Sequence, residues 1–311
     1  MTTKSLTSNT LRFSKILLVA AALVLGFGLE SSHAALLTTA QAKLAAAQIS
    51  ASKQYNTAYT VAQQVTADTG AEYAAINARL IAKYLDADSI VYLAAVINGV
   101  SSNYPNQQAS IAAQVISLNS DNAAKILVLI GSSLSYDAAS QLAVGLNYGM
   151  LKDSSSLKKA GVVAYTLLSA INNSATGTAN DRGNEMATTA ANLAANLLTP
   201  NRHGVVAKSD LKAFTQIAYV LASFAKTADT GTLTRDEYIN NLVGNFASSL
   251  KASTTSGSLS TTAATVALNR VRTVLVALLP NNANTINTVI QDVINSPTGS
   301  FGAVTPSETP H

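Results

Sequence analysis

The sequence predicts an all-α fold, and three observations carry that reading. No stretch alternates apolar and polar residues for long enough to argue a strand. Apolar residues recur instead at three- and four-residue spacing, run after run. Between residues 89 and 152 the chain also copies itself. Val96 opens Val-Ile-Asn-Gly-Val-Ser-Ser-Asn-Tyr, and Val128 opens Val-Leu-Ile-Gly-Ser-Ser-Leu-Ser-Tyr. Gly99 thereby maps to Gly131, Tyr104 to Tyr136 and Ser89 to Asp121, a period of about 32 residues, which marks stacked supersecondary units. Asp121, Asp137 and Asp153 halve that period and each opens a new apolar run, so the unit reads as a helical hairpin. The architecture expected is a right-handed α-solenoid-like or irregular multi-helix stack of short hairpins.

Taken in order, residues 36–67 predict one long alanine-rich helix. Leu37, Leu44, Ala51, Ala58 and Val65 repeat every seven residues, with Ala40, Ala47, Gln54 and Val61 three places behind the first four. That is a coiled-coil-like seam, and it predicts a rod of about 45–50 Å that is either an oligomer contact or a helix lying along its own domain. A helix over 71–84 puts Tyr73, Ile76, Leu80 and Tyr84 on its expected buried face. Short helices follow near 89–98, 106–118, 121–130 and 137–148, with Gly99, Gly131 and Gly149 ending runs in left-handed conformation. The 121–130 segment is nearly all apolar after its start, which predicts a helix enclosed by neighbours. Its successor is one-sided, burying Ala139, Leu142, Ala143 and Leu146.

Beyond Asp153 the helices lengthen. Ala160, Ala164, Leu167, Leu168 and Ile171 form one stripe; Met186, Ala190, Leu193, Ala194 and Leu197 form another, with 172–183 a polar loop between them. After the breaker at 199–204, a helix near 210–226 carries Leu211, Phe214, Ala218 and Leu221. A flexible connection is expected at 252–262. Leu268, Val271, Leu275 and Leu278 make a helix stopped by Pro280, and Ile286, Val289, Ile290 and Val293 make the last. Residues 35–298 are thus expected to form one helical domain, with 299–311 a disordered tail.

The first 34 residues read as a cleaved export signal. Lys4, Arg12 and Lys15 precede an apolar run from Ile16 to Leu29, and Ser32 and Ala34 supply the small residues a signal peptidase reads. That run is shorter than the ~20 residues needed to span a bilayer. The expected destination is periplasmic or extracellular. Removing Lys4, Arg12, Lys15 and Glu30 takes the formal net charge from +4 to +2, too little to mark a nucleic-acid partner. Charged residues are 12% of the chain, about half the usual share, so the surface is a neutral coat of Ser, Thr, Asn and Gln that permits close packing. With no cysteine, disulfides contribute nothing.

No catalytic, cofactor or metal residue is assigned from the sequence. Gly231 to Tyr238 resembles the second half of an EF-hand calcium loop, but Lys226, Ala228 and Thr230 stand where the first three oxygen ligands belong. A capping box accounts for the same residues: Thr234 caps, Glu237 reaches back, and Leu233 staples onto Tyr238. Asp86 and Asp88 beside Ser89, like Asp121, Asp137, Asp153 and Asp210, read as helix-start residues rather than ligands. His203 and His311 are the histidines left after leader removal, too few for a zinc site without cysteine or for a presented triad. Gly145-Leu146-Asn147-Tyr148-Gly149 follows no strand and makes no phosphate loop. Tyr55 and Tyr59, and Tyr84 and Tyr92, are expected to pack at helix crossings rather than form a contact patch. The functional expectation is an exported, non-enzymatic helical-repeat protein that binds a partner protein or itself. The alternatives are a membrane- or lipid-associated helical protein and, behind it, a hydrolase using a carboxylate pair.

Overall fold

The computed structural model describes residues 35–86, 88–153, 158–199, 206–257 and 259–297. The expected leader, His203 and the expected tail from 299 onward lie outside the described residues. Within the described residues the chain is helical throughout, with no strand. The α-helices are α1 (Thr39–Ser52), α2 (Tyr55–Thr66), α3 (Ala74–Lys83), α4 (Ile90–Asn103), α5 (Gln108–Ser117), α6 (Ala123–Ile130) and α7 (Tyr136–Gly145). A single turn, α8 (Tyr148–Leu151), precedes α9 (Lys159–Asn172), α10 (Ala179–Leu198), α11 (Lys208–Thr227), α12 (Arg235–Thr255), α13 (Thr261–Leu278) and α14 (Ala283–Asn295).

Packing follows a simple order. Helices α2, α4, α6, α9, α11 and α13 each rest on the next in that series, and so do α1, α3, α5, α7, α10, α12 and α14. Successive long helices therefore alternate between two rows. Within a row the helices run parallel, because bonded pairs keep a constant offset. Tyr136 reaches Asp181 and Ser140 reaches Glu185 between α7 and α10; Asn241 reaches Asn180 and Asn245 reaches Asn184 between α12 and α10. The rows close over a core that extends from Leu37 to Val293 and is rich in alanine, whose single methyl lets helix axes approach closely.

Several expectations need correction. The long helix over 36–67 is two helices. Lys53 takes a left-handed conformation (φ 53°) and Gln54 an extended one, so the chain reverses without glycine or proline. Folding back brings Ala45, Ala46 and Ile49 into one core with Ala58, Ala62 and Val65, which buries both helices in a single chain. A rod of alanine seams would gain only ~0.8 kcal/mol per buried methyl. The seam itself is divided: Leu37, Ala58 and Val65 are buried, while Ala40, Leu44, Ala47 and Ala51 face outward on α1. On α3 the buried face is Ala74, Asn77, Ala78, Ile81 and Ala82, and Ile76 is exposed. Asn77 lies deep on that face and accepts the Leu37 N–H at 2.9 Å.

The glycines stop nothing. Gly99 lies inside α4, which runs to Asn103; Gly131 continues right-handed into a 3-10 turn, and Gly149 lies inside α8. Close approach explains the first two. A β-carbon on Gly99 would overlap the Tyr59 carbonyl oxygen, and one on Gly131 would lie 2.7 Å from the Thr166 methyl. The two glycines thus face opposite neighbours in the row. Burial also breaks the 32-residue register, since Val96 and Ile97 are buried while their counterparts Val128 and Leu129 are 56% and 42% exposed. Helix α6 is therefore not enclosed. Residues 252–255 continue α12, and Leu259 is buried with its N–H bonded to the Ser253 carbonyl, so the connection there is tied down. Helix α10 begins at Ala179, inside the expected loop, behind a Thr178–Asp181 capping box.

The later stripes fall inside. All five core positions named on α9, all five on α10 and all four on α14 are buried; Leu211 and Leu278 are only partly so.

Candidate functional site

A groove of about 780 Å³ opens between the end of α6 and the length of α9. Val128, Leu134, Val162 and Tyr165 supply its apolar wall; Ser135 and Ser169 are among its hydroxyls. Among the described residues no charged side chain lines it. Its volume is that of a pocket able to enclose a small ligand or several side chains of a partner.

The sequence builds this groove locally. Gly131 lets the end of α6 press on Thr166 of α9, and the 3-10 turn Gly131–Ser133 then carries the chain away, leaving Leu134 as the floor. Gln108, buried on α5, holds that turn from below. Its amide donates to the Ser133 carbonyl at 2.7 Å and accepts the Ser135 N–H at 3.0 Å. Ser133 also donates to Asn98, which donates to the Tyr55 hydroxyl, so the wall is tied back to α4 and α2. On the other side the Gly161 N–H donates to Gln216 of α11, and Tyr165 packs its ring 6.0 Å from that of Phe224 while remaining 59% exposed. An aromatic held by a neighbour yet open to water is a pre-set contact surface.

Tyr136 lines one end of the groove and has carboxylates for neighbours. Burial, then Glu185, Asp181 and Asp137, push the Tyr136 phenol above its ordinary value, against the opposing pull of Arg182. Asp181 accepts both the N–H and the hydroxyl of Thr178 and is held below the usual carboxylate range by those bonds. Glu185 accepts from Ser140, and Arg182 pairs with Asp229 at 3.5 Å.

The residues weighed in the sequence fall elsewhere. Thr234 and Glu237 form the expected capping box, with Leu233 and Tyr238 both buried behind it. Asp86 accepts the Asp88 N–H in a turn, and Ser89 makes no side-chain cap. The side chains that cap N-termini are Thr38, Ser135, Asn147, Thr178, Thr234 and Ser260; the expected aspartates sit a residue or more inward or elsewhere. Asp153 accepts from Gln216, and Asp210 accepts from the Tyr148 hydroxyl. Tyr55, Tyr59, Tyr84 and Tyr92 are partly buried against the core. Among the described residues no three His, Cys, Asp or Glu side chains gather to hold a metal ion, and no helix is long and apolar enough to cross a membrane. No motif in the sequence marks the groove. Its trace in the sequence is Val162, Tyr165 and Ser169, a second set at helical spacing beside the buried stripe of α9.

Comparison with protein-family models, with curated proteins and with solved structures gave no match for this chain.

Proposed function

We propose that this chain is an exported, non-enzymatic binding scaffold of the α-solenoid kind, whose stacked helical pairs present a surface to a partner protein or to a second copy. The observation that carries the reading is the two-row order of parallel helices. One of those rows leaves an apolar side chain exposed on each of several helices: Val91 on α4, Val128 on α6, Tyr165 on α9, Tyr219 on α11 and Val266 on α13. Stacks of this kind contact only near neighbours and so create extended surfaces without long-range cross-links. Asp181 and Glu185 are already engaged by Thr178 and Ser140, which favours binding over acid–base chemistry there. The leader-like pattern of residues 1–34, a basic start before an apolar run, supports a working chain outside the cytoplasm.

A photo-crosslinking side chain installed at Tyr219 in the native host tests the scaffold. The expected result is a discrete crosslinked species, of a partner or a dimer; adducts indistinguishable from those of an unfolded control would overturn it. Light scattering on the chain from Ala35 separates a partner from self-association. A second reading, association with lipid, is favoured by the uncharged lining of the groove. Flotation with phosphatidylcholine vesicles supports it, and sedimentation free of lipid removes it.

A further inference from the structure

The two rows of helices sort the charged side chains between them. We propose that the outer face of α6, α9, α11 and α13 docks an acidic segment of a partner protein, whose apolar anchors sit in the groove between α6 and α9. This rests on the scaffold reading above and names the chemistry that scaffold takes.

Helices α2, α4, α6, α9, α11 and α13 carry seven basic residues and one acidic residue, Asp210, which is buried. The helices of the other row carry six of each. Helical spacing gathers the cations on the exposed side. On α11, Lys208, Lys212, Tyr219 and Lys226 fall along one stripe and all are exposed. Thr215 on one flank of that stripe accepts from Arg270 of α13, and Gln216 on the other accepts from Gly161 of α9, so the stripe faces outward between two neighbours. Lys125 stands one turn before Val128 on α6, and Lys158 one turn before Val162 at the start of α9. Both lysines are exposed, which sets cations beside a groove whose own lining is uncharged. The acids near this face are engaged. Asp121 pairs with buried Lys159 at 3.5 Å, Asp153 accepts from Gln216, and Asp229 pairs with Arg182 of the other row. An acidic segment finds its complement here, and a basic one meets repulsion. The apolar residues also suit a protein chain better than a bilayer. Val128, Tyr165, Tyr219 and Val266 are spread over four helices, with Ser223 and Thr273 exposed on the same faces. That spacing offers separate anchor points, whereas a membrane surface takes a continuous apolar face.

Binding of the intact chain to an immobilised random copolymer of glutamate and tyrosine, with the lysine–tyrosine copolymer as its opposite, tests this. The chain is expected to bind the acidic copolymer alone, and more weakly as salt rises. The double variant Lys212→Glu, Lys226→Glu should bind about tenfold or more weaker, and Val128→Ser about threefold weaker with an unchanged salt dependence. Lys43→Glu, Lys83→Glu makes the same change in formal charge on the other row and should shift binding by less than about twofold. All of these side chains are exposed, and matching thermal melts confirm that the variants fold. The proposal is overturned if neither copolymer binds, if both bind alike, or if the two double variants lose equally. It is also overturned if phosphatidylglycerol vesicles displace the acidic copolymer and capture the chain. Self-association at low salt that Lys212→Glu, Lys226→Glu abolishes would assign the face to a second copy and overturn it too. A crosslink at Tyr219 without copolymer binding would leave the scaffold standing and remove only the acidic partner.

Discussion

Gly99 of α4 lies directly against the backbone of Tyr59 in α2. The Tyr59 carbonyl oxygen occupies the space a β-carbon would need, with the Ala62 methyl only 3.1 Å from the same point. Two helices of one row touch backbone to backbone there.

Gly99→Ala is therefore expected to destabilise the fold by about 1–3 kcal/mol, the usual cost of forcing atoms into a packed contact. Gly145→Ala is the control, because its β-carbon would meet Ala113 at an ordinary 3.6 Å. Alanine should help that helix by roughly 0.5–1 kcal/mol. Urea midpoints measure both; a Gly99→Ala midpoint equal to wild type would show that α2 can move aside freely.

Removing a cap should matter only where a cap exists. Thr234→Ala loses the bond that Thr234 accepts from the Glu237 N–H, at a cost of about 1 kcal/mol. Ser89→Ala loses no side-chain cap, and its unfolding midpoint should stay at the wild-type value. Equal losses at the two sites would contradict the assignment.

The same boxes set an acid response. Backbone and hydroxyl donors from Thr178 and Thr234 depress Asp181 and Glu237 below their ordinary 3.8 and 4.5. A depressed folded-state value means stability that is fully present above the unfolded value and lost as pH falls through the folded one. The contribution should thus fade below about pH 4.5 and persist unchanged through neutrality. In the double variant Asp181→Asn, Glu237→Gln the urea midpoint should fall less steeply over that acid range. A slope identical to wild type would show that the boxes do not titrate with folding.

Tyr238 offers a gain instead. Its hydroxyl is buried with no hydrogen-bond partner among the described residues, and burial pushes its pKa up to about 12. Removing an unsatisfied buried group spares its desolvation, so Tyr238→Phe should stabilise by up to about 1–2 kcal/mol. The ring stays packed against Gly183, whose missing side chain makes room for it. A melting temperature lowered by the variant would mean that the hydroxyl has a partner after all.

The core stripes of α9, α10 and α14 were legible because each helix has one packing side and a single period of apolar residues marks it. The groove was hidden for the converse reason. Val128 and Leu129 belong to a run apolar on every side, and hydropathy cannot say which side a neighbour leaves uncovered. The break at Lys53 was hidden too, because it uses neither glycine nor proline but the gain from folding one alanine face onto another.

By itself, then, the sequence determined that this chain is helical, which stripes of its later helices face inward, and that a Thr–Glu box starts the helix at Arg235. Those are local properties, written in periods of three and four and in the reach of one side chain to the next turn. Tertiary structure alone decided that 36–67 doubles back, that Gly99 and Gly131 serve contacts with opposite neighbours, and that α6 leaves two apolar residues in water beside α9. Each of these depends on which surface meets which, and residues of like hydropathy do not carry that information until the rows are packed.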